Sequence, residues 1–227
     1  MVDYGWSFSR AVEDWKKILI GAVIGLIPIV NLIYAGYLLR VAKTAHGKKK
    51  LPEWDQWGDD FVNGLKVLVV SIVYAIPLII VAVIFVKSLL AGAVSTMMEM
   101  ASEGGTSNLS DVSGLFDVGF TGVLVIFVLG LLIALLQPAA VLRMAFHGNS
   151  LGEAFKFGEV FRRVFTGEYI VTWIIVVIVT WIIGLIGSML GGFIGAKTFI
   201  LLGSFITSIF YVIIGFFGYS AFGQLKY

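Results

Sequence analysis

The chain has 227 residues, of which 59% are hydrophobic and only 13% are charged, and its mean hydropathy is +0.99. It contains no cysteine, which excludes disulfides, thiol catalysis and cysteine-ligated metal sites. The formal net charge is only +2, and the basic residues flank apolar segments rather than forming a patch. This pattern argues against a nucleic-acid partner.

Five stretches of 20 residues or more contain no charged side chain. About 20 apolar residues in a helix are enough to cross the hydrocarbon core of a bilayer. A soluble domain of this size would not bury five such runs, so the sequence indicates a multi-pass membrane protein. The runs are residues 18–39, 67–86, 118–142, 169–196 and 198–225.

We predict an all-α integral membrane protein that forms a single membrane domain over residues 1–227. It has four transmembrane helices, one short re-entrant helical hairpin near the N-terminus, and amphipathic interfacial helices on the cytoplasmic side. The predicted transmembrane helices are residues 66–90, 118–143, 168–194 and 198–224. The other predicted segments are the hairpin 18–44, the interfacial helices 1–17, 51–65 and 150–166, and an outer loop 91–117.

The distribution of lysine and arginine predicts the orientation. Residues 40–66 contain six basic side chains and residues 143–167 contain four, whereas residues 88–117 contain none and carry four acidic ones. Cytoplasmic loops are enriched in lysine and arginine. We therefore expect a cell-membrane protein whose N- and C-termini are both cytoplasmic.

The first apolar run has basic residues at both ends, with Lys16 and Lys17 before it and Arg40 and Lys43 after it. Pro28 lies at its midpoint, where it removes a backbone donor and disfavours helix in the residue before it. Two half-helices that enter the membrane and return would keep both basic ends inside, which is why a re-entrant hairpin is preferred. The alternative is a kinked helix that spans the bilayer.

Residues 51–65 show a helical stripe of large apolar side chains opposite an acidic arc that includes Asp55 and Asp60. The apolar stripe is typical of a helix that lies among lipid headgroups, and the acidic arc is expected to face water. Three adjacent lysines precede it and would attract anionic lipids. The candidate headgroup contacts are Lys48, Lys49, Lys50, Trp54 and Trp57.

A weak internal repeat links two basic segments. The run Arg40–Gly47 precedes Leu51-Pro-Glu53, and the run Arg143–Gly148 precedes Leu151-Gly-Glu153. Each run ends in His-Gly, which is typical of a helix C-terminus. A metal or acid–base site at the two histidines would need carboxylates close by, and the residues show no such spacing. We expect no cofactor and no metal.

The motifs Pro28–Asn31, Gly36–Arg40 and Leu51–Asp55 resemble an uncharacterised prokaryotic family of multi-pass membrane proteins, domain-of-unknown-function family four thousand and thirteen. The resemblance is strongest over residues 18–80. It implies an integral membrane protein and carries no assigned activity or catalytic residues.

Polar side chains at membrane depth are functional candidates. Asn31 and Gln137 are such residues, and three tyrosines are near enough in sequence or depth to join them. The alternative is that they satisfy backbone groups freed by prolines. The candidate contacts for a lipid or solute are Pro28, Asn31, Tyr34, Tyr37 and Gln137.

Gly187, Gly191 and Gly195 form two overlapping G-x-x-x-G pairs and are candidates for close helix packing. The packing partner is either a second copy of the chain or the neighbouring segment 198–224 of the same chain.

The sequence favours a non-enzymatic membrane scaffold or assembly partner, a class that includes lipid-binding and membrane-shaping proteins. The expected partners are membrane lipids, together with other membrane protein subunits or a second copy of the chain. The alternative is a transporter or channel for a lipid or small apolar solute that uses the broken helix at Pro28–Asn31.

Overall fold

The computed structural model describes residues 1–102 and 109–225, and within these ranges the chain is helical with no β-strand. The all-α fold predicted from the sequence is therefore confirmed. In chain order the helices are α1 Tyr4–Ala11, α2 Trp15–Gly25, α3 Asn31–His46, α4 Trp57–Ser102, α5 Leu109–Phe146, α6 Leu151–Ala154, α7 Phe157–Val164, α8 Gly167–Lys197 and α9 Ile200–Gly223.

Four segments are long and apolar enough to cross a membrane, as predicted, and they confirm an integral membrane protein at the level of length and composition. Their exposed surfaces carry many large apolar side chains, as lipid-facing surfaces do. The four segments are Trp57–Ser95, Gly119–Phe146, Gly167–Lys197 and Ile200–Gly223.

Two aspartates set the helix starts in the N-terminal region. Asp3 accepts a hydrogen bond from the backbone N–H of Trp6 at 2.9 Å, and Asp14 accepts one from Lys17 at 3.2 Å. Such side-chain caps satisfy N–H groups that have no partner inside the helix. The chain therefore forms α1 and the start of α2 where a single interfacial helix 1–17 is predicted.

Three further boundaries differ from the prediction. Residues 51–56 are not helical. Residues 57–65 are the first turns of α4, which continues from them into the membrane-length segment. The predicted helix 150–166 is two short helices, α6 and α7. The predicted loop 91–117 is occupied by the end of α4 and the start of α5, and its residues 103–108 lie outside the described part of the chain.

The sequence predicts one membrane domain, whereas the structure divides into two compact units. The first unit contains Met1–Val70 and the chain from Pro138 onward, and the second contains Ser71–Gln137. In the second unit the Gln137 amide donates a hydrogen bond of 2.7 Å to the Ser71 hydroxyl. This bond joins the helices α4 and α5 at the end of that unit.

Helix α9 lies at the centre of the first unit, where it packs against α1, α2, α3 and α8. Phe216 and Phe217 on α9 are almost fully buried. Around them lies an apolar core whose other members come from α1, α2, α3, the segment before α4 and α9 itself. These are Ala11, Ile18, Ala22, Tyr37, Leu38, Val41, Leu51, Val212 and Ile213.

Helices α3 and α4 cross at two glycines. A Cβ atom at Gly36 would overlap the backbone of Asp60, and one at Gly64 would overlap the backbone carbonyl of Leu32. Glycine allows this close approach because it has no side chain. The crossing holds the start of α4 against the α2–α3 hairpin.

Candidate functional site

A break at Leu26–Val30 separates α2 from α3, at the position of Pro28. The break lies beside a cleft of about 490 Å³ between the α2–α3 hairpin and α9. We call this the hairpin cleft. Its walls combine aliphatic side chains with hydroxyl groups and one amide. The lining residues are Gly25, Leu26, Asn31, Tyr34, Ala35, Leu38, Ser204, Thr207, Ser208, Tyr211, Val212 and Tyr219.

Two of the residues predicted to contact a lipid or solute line the hairpin cleft. Asn31 is the first residue of α3 and is exposed. Tyr34 lies one turn further on, and its hydroxyl donates to the carbonyl of Val212 at 3.3 Å. Pro28 is exposed in the break itself.

The other two predicted contacts are placed elsewhere. Tyr37 is buried, and its hydroxyl donates to the carbonyl of Pro52 at 2.7 Å. Gln137 belongs to the second unit, where it is bonded to Ser71. Neither residue lines the hairpin cleft. Four of the five predicted contacts are three residues apart in sequence, and this spacing does not reveal which of them line the cleft.

Next to the hairpin lies the segment 47–56, which connects α3 to α4 and is fixed by a buried arginine. Arg10 is 2% exposed. Its guanidinium donates to the carbonyls of Val41 at 3.0 Å and Lys50 at 3.1 Å. It also donates to the hydroxyls of Thr44 at 2.6 Å and Ser220 at 2.8 Å. Burial lowers the pKa of Arg10 to about 10, so the group is still charged at neutral pH.

A lysine makes a second set of bonds to the same segment. The ammonium group of Lys17 donates to the carbonyl of Leu51 at 3.0 Å and to the carboxylate of Glu53 at 2.7 Å. The backbone N–H of Leu51 donates to Glu13 at 2.8 Å. Leu51 is thus held by Lys17 of α2 and by Glu13, which lies just before α2.

Arg40 ties the end of α3 to the start of α4. Its guanidinium bonds both carboxylate oxygens of Asp60, at 2.9 and 2.7 Å, and one oxygen of Asp55 at 2.8 Å. Burial acts to lower the pKa of Arg40, but the hydrogen bonds to Asp60 and Asp55 outweigh it and raise that pKa. The hydrogen bond from Arg40 holds the pKa of Asp55 below its ordinary value.

The prediction of a water-facing acidic arc is wrong for Asp60. The Asp60 side chain is only 1% exposed, whereas its neighbour Asp59 is exposed. A carboxylate is buried in a protein when a cation and hydrogen bonds compensate for its lost hydration, and Arg40 supplies both. The helical stripe alone does not show this, because the pairing arginine is 20 residues away.

These contacts bring together the two ends of the apolar run 18–39. Lys17 precedes the run and bonds Leu51, which follows it. Arg10 bonds the carbonyl of Val41 in the same way. Polar groups before and after the run therefore lie within hydrogen-bonding distance of one another.

Of the five residues predicted to contact headgroups, four are exposed and one, Trp54, is half-buried. Lys48, Lys49 and Lys50 are exposed, and Lys48 pairs with Asp3 at 3.0 Å. Trp54 instead stacks on the ring of Tyr37, with the ring centroids 3.7 Å apart. Its indole N–H also donates to the carbonyl of Lys17 at 3.3 Å.

Trp57, the first residue of α4, remains 44% exposed. Of the two tryptophans in the predicted headgroup set, it is therefore the one whose ring retains a large open surface. Trp54 is half-buried and packs against the apolar core.

Comparison with protein families gives a match over residues 19–192 to the family described as "Protein of unknown function (DUF4013)". The chain belongs to this family. No curated protein and no solved structure matches it. The DUF4013 match includes the α2–α3 break, the segment 47–56 and most of α8, and it ends before α9 begins at Ile200.

Three glycines of α8 pack against α9 of the same chain. Two of them lie within the DUF4013 match, and Gly195 lies just after its end. A Cβ atom at Gly187 would lie 2.5 Å from Cβ of Phe210, and one at Gly191 would overlap Thr207 and lie 2.6 Å from the carbonyl oxygen of Gly203. A Cβ atom at Gly195 would lie 3.4 Å from Cα of Gly203. Of the two packing partners considered from the sequence, the neighbouring segment of the chain occupies this face.

The two histidines lie at helix ends. His46 is the last residue of α3, and its ring meets Phe146 edge-on at 5.9 Å. His147 follows α5, with its Nδ1 2.9 Å from the carbonyl oxygen of Arg143. In the described part of the chain no group of three or more histidine, aspartate or glutamate side chains is placed to hold a metal ion.

Proposed function

We propose that this DUF4013 protein is a non-enzymatic membrane scaffold that holds a lipid chain in the hairpin cleft. The observation that carries the proposal is the cleft itself, which lies beside a helix break and has a largely apolar wall. Lipids are the expected partners, and other membrane proteins or a second copy of the chain would assemble on the lipid-facing helices.

The proposal includes re-entry of the α2–α3 hairpin. A helix that spans the hydrocarbon core separates its two ends by about 30 Å. Here Lys17 and Arg10, which precede the run 18–39, hydrogen-bond Leu51 and Val41 beyond its far end. This geometry supports a hairpin that enters and leaves on one side, which the basic residues assign to the cytoplasm.

Cysteine labelling tests the hairpin, because the chain has no native cysteine. Ser9 and Lys49 are exposed on either side of the run, and Thr198 lies in the turn between α8 and α9. We expect a membrane-impermeant maleimide to label Ser9→Cys and Lys49→Cys only from the cytoplasmic side. Thr198→Cys is the control and should be labelled only from the opposite side. Labelling of Ser9→Cys and Lys49→Cys from opposite sides would overturn the re-entrant hairpin.

The polar groups in the cleft support an apolar occupant rather than a polar one. The hydroxyl of Ser208 donates to the carbonyl of Ala22 at 2.9 Å, and that of Thr207 donates to Gly203 at 3.1 Å. Tyr34 is bonded to Val212. Because these groups already have partners, they present little unsatisfied polarity to a bound molecule. Asn31, which follows the break and lines the cleft, has an amide that can hydrogen-bond the polar end of a lipid.

Filling the cleft should displace the lipid. In Ala35→Phe the added ring would occupy the cleft, whereas in Ala91→Phe it would lie on an exposed face of α4. We expect native mass spectrometry from mild detergent to show lipid bound to the wild type and to Ala91→Phe, and most of it lost in Ala35→Phe. Equal lipid occupancy in the two variants would refute the cleft as the lipid site.

A transporter of lipid or a small apolar solute is the second candidate, and the position of the cleft at a helix break favours it. Reconstituted vesicles with a fluorescent lipid distinguish the two functions. Lipid movement between leaflets that is present in the wild type and absent in Ala35→Phe would support transport. Lipid binding without movement would support the scaffold.

A further inference from the structure

A second cavity, of about 240 Å³, lies where α5 ends and α8 begins. We call it the arginine cavity. Three of its lining side chains are arginines, and one is a carboxylate, so its wall is strongly basic. The lining residues are Ala139, Arg143, Glu159, Val160, Arg162, Arg163 and Thr166.

The carboxylates near the arginine cavity are shared among several cations. Glu153 is bonded by both Arg143, at 2.9 Å, and Lys156. Glu159 pairs with Arg162 and lies 3.7 Å from Arg143. With Arg163 included, four cations are therefore set against two carboxylates. The local excess of positive charge is two.

The internal repeat allows Arg143 of the second copy to be compared with Arg40 of the first copy. Arg40, in the first copy, bonds carboxylates through both Nε and its terminal nitrogens. Arg143 is the corresponding residue of the second copy, and its Nε is buried without an acceptor among the described residues. A buried guanidinium nitrogen that lacks an acceptor costs free energy. The second copy therefore has capacity for an anion where the first copy contains Asp60.

The arginine cavity is also at the right depth for a headgroup. Arg143 lies in the last turn of α5, and Thr166 is the N-cap of α8. The membrane-length apolar segment of α5 ends here and that of α8 begins here, so the cavity lies at the boundary between hydrocarbon and water. The N-terminus of α8 adds a partial positive charge next to Thr166.

We propose that the arginine cavity binds a phosphate group, either of an anionic phospholipid headgroup or of free inorganic phosphate. Guanidinium groups form paired hydrogen bonds with phosphate oxygens, and several arginines together neutralise its charge. A zwitterionic choline headgroup is disfavoured because its cation would lie among the arginines. The site is separate from the hairpin cleft and does not depend on the function proposed there.

The test titrates full-length protein in mild detergent with phosphatidylglycerol, phosphatidylcholine or inorganic phosphate, followed by native mass spectrometry. The variants are Arg163→Gln and Arg162→Gln, with Lys16→Gln as the control, since Lys16 is an exposed cation outside the cavity. Loss of one charge-assisted contact should weaken binding roughly tenfold. Arg162 is 78% exposed, so Arg162→Gln keeps the test informative if Arg163→Gln does not fold.

Phosphatidylglycerol binding that is weakened in both arginine variants and unchanged in Lys16→Gln supports a headgroup site. Phosphate binding with the same dependence, and no phosphatidylglycerol binding, supports a site for the free anion. Binding of both probes that is equal in all variants, or absent in the wild type, overturns the proposal. The cleft variant Ala35→Phe should keep its binding of inorganic phosphate and the part of its phosphatidylglycerol binding that the arginine variants weaken. This result is therefore separate from a failure of the lipid-chain proposal.

Discussion

Replacement of Asp60 by alanine is expected to lower the free energy of unfolding by about 3–5 kcal/mol. The Asp60 side chain is 1% exposed and both of its oxygens accept hydrogen bonds from Arg40, whose side chain is 16% exposed. The substitution would leave a guanidinium that is mostly removed from water and has lost its bidentate partner. The remaining bonds of Arg40, to Asp55 and to the carbonyl of Glu53, do not replace it.

Asp59→Ala is the matched control, because Asp59 has the same side chain, is adjacent in sequence and is exposed. Its effect should be within about 0.5 kcal/mol, as for most surface substitutions. Both variants are measured by unfolding with increasing sodium dodecyl sulfate in mixed micelles, followed by tryptophan fluorescence. Equal stability of the two variants would contradict the structural role assigned to the Arg40–Asp60 pair.

The second large effect is expected at the crossing of α3 and α4. A Cβ atom at Gly64 would overlap the carbonyl group of Leu32, which is backbone and has no rotamer to change. Gly64→Ala should therefore force the two helices apart and lower the free energy of unfolding by about 3 kcal/mol, at the upper end for overpacking.

Gly58→Ala is the control for this prediction. Gly58 lies on the same helix, and a Cβ atom there would meet nothing within 4 Å. Alanine is a better helix former than glycine, so this variant should be neutral or more stable by up to about 1 kcal/mol. The same unfolding measurement gives both values. If Gly64→Ala were as stable as Gly58→Ala, the close crossing would not exist in the folded protein.

The sequence predicts the membrane helices well because long charge-free runs are rare outside segments that cross a bilayer. The predicted 168–194 and 198–224 correspond closely to α8 and α9. The start of α4 is harder to predict. An amphipathic segment in the headgroup region and the first turns of a spanning helix have the same periodicity, so residues 51–65 alone do not distinguish them.

The packing of α1 shows why the site is less predictable. Its sequence stripe places Phe8 and Ala11 together, and large apolar residues normally indicate the buried face. In the structure Phe8 is 46% exposed, and the buried residues are Ser7, Arg10 and Ala11. In a membrane protein small residues mark helix contacts, because lipid accepts large apolar side chains equally well. Ser7, Arg10 and Ala11 have i, i+3, i+4 spacing, so they share one face of α1. This spacing is the sequence signal that places Arg10 on the buried face.

The central position of α9 has a consequence for how the protein is made. Arg10 hydrogen-bonds Ser220 across 210 residues of sequence, and α1, α2 and α3 all pack on α9. At typical synthesis rates the ribosome needs roughly 10 to 40 seconds to cover that distance. During translation α1, α2 and α3 lack the partner that completes their core, and the buried Arg10 lacks one acceptor. Biogenesis therefore includes a waiting period in which the insertion machinery or water must shield these helices.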